Sequence, residues 1–171
     1  MSLETPEKFT PKPEYFKGSQ WELPTDIDLV NRVSEELERR LIEAGWGDDA
    51  YPLVTSFSEA LINAIVHGNL EIKEKSETES WREAALRVQK EKPSTKKVFV
   101  NLNVTPEEVA INIRDEGNGF AVKEVTDPTS CEGISRTSGR GFLFMHQDFD
   151  SVEHNERGNE VTMKKTKQKT A

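Results

Sequence analysis

From residue 27 the apolar positions fall three and four apart: Ile27, Val30, Val33, Leu37 and Leu41 share one helical face, ending at Gly45. Thr25, with Asp28 three residues on, has the spacing of a capping box, so a helix is predicted over residues 26–44. Leu53, Phe57, Leu61, Ala64 and Ile65 repeat the pattern, predicting a second helix. Asp48 or Asp49 would cap it, Pro52 lies in its first turn and Gly68 would stop it. Residues 71–92 are crowded with Glu and Lys, and Trp81, Ala84, Ala85, Leu86 and Val88 offer only a thin apolar stripe, so this stretch reads as an exposed helical insertion. At Lys97 the period changes to two. Val98, Val100, Leu102 and Val104 point one way, and Val109, Ile111 and Ile113 do the same after a turn at 105–107, which predicts two adjacent antiparallel strands. A short first strand is expected near 18–23, a long loop at 127–141, a short helix at 141–147 and a last hairpin from 151–155 and 161–165.

This pattern divides the chain into an extended or disordered arm at 1–17, one domain at 18–166 and a short tail at 167–171. A hydrophobic fraction of 34% in 171 residues supports one core with polar segments attached. The net charge of −8 argues against a broad phosphate-binding surface, so direct nucleic-acid contact is not expected. Cys131 is the single cysteine, which excludes an intrachain disulfide and suits a cytoplasmic protein. Neither a signal peptide nor a membrane span is read from the sequence.

Three elements carry candidate chemistry. Glu59 and Asn63 are four apart on the second helix and project from one face; a carboxylate can take a proton and a carboxamide oxygen can hold Mg²⁺. Taken alone, the pair also fits any solvated helix face, and His67, four residues further, also fits a helix-end residue bonded to a carbonyl. The second element is Arg114-Asp115-Glu116-Gly117-Asn118-Gly119-Phe120, a strand entering a tight turn. Its glycines allow backbone to approach a flat ligand, and an ionised Asp115 can accept from an exocyclic amine such as that of adenine. The third, Ser138-Gly139-Arg140-Gly141-Phe142, leads into a helix start, where free N–H groups favour phosphate; it lacks P-loop spacing.

In this order the elements resemble a known set. Glu59-Ala60-Leu61-Ile62-Asn63-Ala64-Ile65-Val66-His67-Gly68-Asn69 is similar to the N box of the gyrase, Hsp90, histidine-kinase and MutL ATPase superfamily, and the two glycine segments resemble its glycine boxes. Within that superfamily the pattern, over about residues 22–166, is closest to the bacterial anti-sigma factor serine/threonine kinases. The resemblance implies an α+β two-layer sandwich of the Bergerat type: a mixed, largely antiparallel sheet with helices on one face, and nucleotide between helices and a lid at 121–141. It implies ATP or ADP with Mg²⁺ as ligands, Glu59 as general base and Asn63 on the metal. Asp115 would meet adenine, and His67, Gly117, Gly119, Phe120, Ser138, Gly139, Arg140, Gly141 and Phe142 would line the nucleotide, with Arg140 near the terminal phosphates. The implied partners are a sigma factor and a small antagonist protein that receives the phosphate, with a homodimer as the implied assembly. An alternative is a nucleotide-gated binding module without kinase activity; a sensor histidine kinase fragment fits less well, because every histidine lies at or after position 67. Two departures stand out. The last hairpin carries Gly158-Asn159 where families of this fold commonly carry Gly-Thr, and Asn159 is expected to make the similar hydrogen bond beside adenine. The 71–92 segment is also longer than the usual connection and is a candidate partner surface.

Overall fold

The computed structural model describes residues 13–119 and 139–168, with the side chains of 13, 14 and 139–143 outside the description. Five strands form one sheet in the order β1 (Gln20–Pro24), β2 (Lys97–Val104), β3 (Glu108–Arg114), β5 (Glu160–Thr166), β4 (Ser151–His154). Every neighbouring pair is antiparallel. The period-two reading sets the register: Val100 stands opposite Ile113 and Leu102 opposite Ile111, which puts both apolar rows on one face. Those rows are buried under four helices, α1 (Val30–Glu43), α2 (Ala50–Asn63), α3 (Trp81–Glu91) and α4 (Gly139–Asp148). The opposite face carries Lys97, Asn101 and Asn112, and Arg114 lies over the Phe99 ring at 4.2 Å. The architecture is the expected α+β sandwich with helices layered on one face of an antiparallel sheet.

Local chemistry differs from the expectation in several places. Thr25 does not cap the first helix. Asp26 caps the 3-10 turn Ile27–Leu29 that leads into α1, accepting from the Asp28 N–H at 3.0 Å, while the Thr25 hydroxyl donates to the Lys96 carbonyl at 2.6 Å. At α2 the cap position is Asp49, with no capping bond from its side chain. Gly68 does not stop α2 either: the chain runs on from Asn63 into a π-helical turn, Ala64–Asn69, closed by the Leu70 N–H on the Ile65 carbonyl at 2.9 Å.

The 71–92 segment is more than an exposed insertion. Ile72 is buried, and Ala84 and Ala85 on α3 are fully buried, because a small side chain lets one helix face settle against the layer below. A Ser80–Glu83 capping box starts α3, and the Gln89 Oε1 accepts from the Ile27 N–H at 2.8 Å, tying α3 to the entry of α1. At the chain's two ends, Pro13–Phe16, within the expected arm, forms a 3-10 turn whose Phe16 meets Trp21 edge-on at 5.2 Å. Lys167, the first residue of the expected tail, donates to the Gly45 carbonyl at 2.7 Å. Residues 1–12, 120–138 and 169–171, which include most of the expected arm and lid, lie outside the described residues.

Among the described residues, no helix is long and apolar enough to cross a membrane.

Candidate functional site

The π-turn brings the end of the α2 segment against the loop that leaves β3. A Cβ built on Gly68 would stand 2.6 Å from both carboxylate oxygens of Asp115, and one on Gly117 would stand 2.9 Å from Asp115 Oδ1 and overlap the Gly68 carbonyl. Both positions therefore need glycine for space rather than for backbone freedom. Gly68 is the floor beneath the Asp115 carboxylate. The wide π-turn explains how a residue four beyond Ala64 reaches the sheet without unwinding the helix.

Asp115 is 7% exposed, so its polar atoms need partners. Its N–H donates to the Asn159 carbonyl at 2.9 Å, and its carbonyl accepts from Asn159 Nδ2 at 2.9 Å. Oδ1 accepts from the Gly117 N–H at 2.8 Å. Oδ2 accepts no hydrogen bond among the described residues, although it belongs to a buried group. Burial pushes the carboxyl up to about 6, against the opposing pull of the Gly117 N–H and the positive charges of Lys96, Arg157 and Arg114. An acceptor on a mostly buried carboxyl, with no second donor among the described residues, is suited to a ligand N–H.

Asn159, expected to bond beside adenine, bonds to the main chain of Asp115. Its Nδ2 holds the Asp115 carbonyl and its Oδ1 accepts from Asn155 Nδ2 at 2.7 Å, so the carboxamide fixes the backbone under Asp115. The neighbouring Arg157 donates to the Gly117 carbonyl at 3.3 Å. Gly119 has a φ of +77°, and a Cβ there would overlap the Arg157 carbonyl. Replacing Gly119 with Ala is expected to cost about 2 kcal/mol or more in denaturant unfolding, from strain and overlap together. An unchanged midpoint would show that the 155–159 turn yields instead.

Glu59 and Asn63 project from α2 half-buried, and neither side chain makes a hydrogen bond among the described residues. Burial alone raises the Glu59 carboxyl, which moves it toward the range of a working base. His67, on the π-turn, has Nδ1 2.8 Å from the Ile72 carbonyl and its ring edge-on to Trp81 at 4.6 Å, so one nitrogen is already committed within the protein. Gly139, Arg140, Gly141 and Phe142 form the first turn of α4 itself rather than a loop ahead of it, since the helix starts at Gly139 and not at 141. The first four N–H groups of a helix lack intrahelical acceptors, so the shift leaves these donors available to an anion. Phe120 and Ser138 lie outside the described residues. α4 is pinned to α2 where Ser56 Oγ donates to Asp148 Oδ2 at 2.6 Å, which joins the helix bearing Glu59 to the one beginning at the glycine pair.

The model of the histidine kinase-like ATPase domain matches residues 21–165. The chain belongs to that family. No curated protein sequence matches it. Histidine kinase-like ATPase domains bind ATP or ADP, typically with Mg²⁺. The residues present suit that ligand: a buried carboxylate with an open acceptor, two glycines that keep side chains away from it, and a helix start able to meet phosphate. Sequence reading missed Gly68 and Asn69 as parts of the site. Both stand in the matched N box, but only the folded contacts reveal their work.

Proposed function

We propose that this histidine kinase-like ATPase domain recognises ATP through Asp115 and acts as an anti-sigma factor serine/threonine kinase that phosphorylates a small antagonist protein. The observation that carries the nucleotide reading is the Asp115 carboxylate, buried over Gly68 with Oδ2 unbonded among the described residues. It accepts the adenine amine, whereas guanine would present a carbonyl to the same oxygen, a repulsive pairing. Asn63 would hold Mg²⁺ through its carboxamide oxygen, and the ion would neutralise charge on the phosphates.

For transfer, Glu59 takes the proton of the acceptor hydroxyl as that oxygen bonds to the γ-phosphorus and the bond to the β-phosphate oxygen breaks, releasing ADP. The half-buried, raised carboxyl of Glu59 supports the assignment. The N–H groups from Gly139 to Phe142 face the phosphates, and Arg140 adds charge. Sigma factor, antagonist and a second copy of the chain are the partners this reading requires. A second reading, a nucleotide-gated binding module, is favoured by α3. Its buried alanines fix it to the domain while Arg82, Glu83 and Arg87 remain exposed, as a partner-facing helix would require.

Calorimetry with ATP, ADP and GTP, with and without Mg²⁺, tests the first step. Adenine nucleotides should bind, with GTP weaker by about 100-fold. Absence of adenine-nucleotide binding overturns the reading. Labelled ATP and a candidate antagonist test the second step, and binding without transfer would favour the gated module.

A further inference from the structure

Asn69 closes the π-turn immediately after Gly68 and is 4% exposed. Its carboxamide is fully engaged across three other segments. Nδ2 donates to Thr25 Oγ1 at 2.9 Å and to the Lys97 carbonyl at 3.0 Å, and Oδ1 accepts from the Glu116 N–H at 2.8 Å. The end of β1, the start of β2 and the loop leaving β3 therefore meet on one side chain. Its acceptor is the link that matters, because Glu116 directly follows the carboxylate poised over Gly68.

We propose that Asn69 is a positioning residue for base recognition, holding the Asp115 carboxylate in register with Gly68 so that Oδ2 meets the nucleobase amine. This rests on the reading that Asp115 accepts that amine. The main chain at Asp115 is clamped from one side by Asn159, which takes both its N–H and its carbonyl. The Asp115 carbonyl and the Glu116 N–H are the two edges of one planar peptide, and that clamp grips the plane by its carbonyl edge only. Asn69 fixes it from the other side by taking the Glu116 N–H, and the Gly117 N–H then lies where it reaches Asp115 Oδ1. Loss of the carboxamide leaves the Glu116 N–H without its acceptor and the peptide held by its carbonyl edge alone, so that it can tilt about the Asn159 bond and loosen the Gly117 N–H, and with it the carboxylate, over the glycine floor. Thr25 reinforces the clamp: its hydroxyl accepts from Asn69 while donating to the Lys96 carbonyl, so the carboxamide is anchored, directly and through Thr25, to two successive carbonyls at the start of β2.

The test compares ATP with purine riboside triphosphate, which lacks the 6-amino group, by calorimetry. For the wild type the analogue should bind about 100-fold more weakly. In Asn69→Ala that ratio should fall to about threefold, with affinity for the analogue itself changed by less than about threefold. A general loosening of the fold would weaken both nucleotides alike and leave the ratio high, so a retained ratio overturns the role. A wild-type ratio near one instead sinks the assignment of Asp115 to the base, and this role with it. Where circular dichroism shows that Asn69→Ala does not fold, Thr25→Val serves. It removes one of the two Nδ2 acceptors, and the ratio should drop to an intermediate value of about tenfold; a ratio equal to wild type again overturns the role.

Discussion

Replacing Asp115 with Asn should make the protein more stable at pH 8 and worse at binding ATP. Burial raises this carboxyl from 3.8 to about 6, so between those values the folded chain keeps a proton that the unfolded chain has released. Stability therefore falls as pH rises through that window, and the cost of holding the charge is complete above about pH 6. At about 1.4 kcal/mol per pH unit, the ceiling on that cost is about 3 kcal/mol. Asn has the same shape and no charge, and its oxygen can keep the Gly117 N–H. A gain of about 1–3 kcal/mol at pH 8, vanishing near pH 4, is the expected result of unfolding measurements. ATP affinity should drop by about 100-fold or more, because the carboxamide turns an N–H toward a ligand amine that is itself a donor. Wild-type affinity should also weaken as pH is lowered through 6, whereas the variant's should not respond there. A variant less stable than wild type at pH 8 would refute the account of a carboxylate held ionised at the expense of the fold.

Glu59→Gln should separate chemistry from binding. Gln matches Glu in size but cannot take a proton, so phosphate transfer should fall by about 10²–10⁴-fold while the Kd for ATP stays within about threefold. Asn63→Ala should do the reverse at the metal, removing the Mg²⁺-dependent part of the affinity. Both residues stand half-buried on one helix, and Ser56 on the same helix is bonded to Asp148 at the far end of α4. The substitutions thus probe one supported surface. Transfer undiminished in Glu59→Gln would remove Glu59 from the reaction, and loss of ATP binding would mark it as part of the scaffold.

What was legible in the sequence was whatever repeats locally. Leu53, Phe57, Leu61, Ala64 and Ile65 are all buried as their spacing predicts, and the alternating valines and isoleucines of β2 and β3 face the core from two adjacent antiparallel strands, as expected. The site was legible as ordered motifs, and Asp115 stands at the strand end where it was expected. What failed depended on residues distant in the chain. Thr25 has the local spacing of a cap, yet its hydroxyl is taken by a carbonyl 71 residues away. Gly68 looks like a helix stop because glycine usually marks a local backbone need, whereas here it is required by a carboxylate arriving from another strand. Ala84 and Ala85 carry too little apolar area to announce a buried helix, and it is their smallness that lets α3 pack closely. Asn159 braces the Asp115 peptide across 44 residues, a partner that local spacing does not announce.

That brace has a consequence for synthesis. β3 is translated before its second neighbour, β5, and both backbone bonds at Asp115 end on Asn159, which is made after α4 and β4. A nascent chain that has released β3 alone lacks both backbone partners of Asp115. If Asp115 recognises the base as proposed, nucleotide stabilises the chain only after the residue 44 positions downstream has left the ribosome and docked.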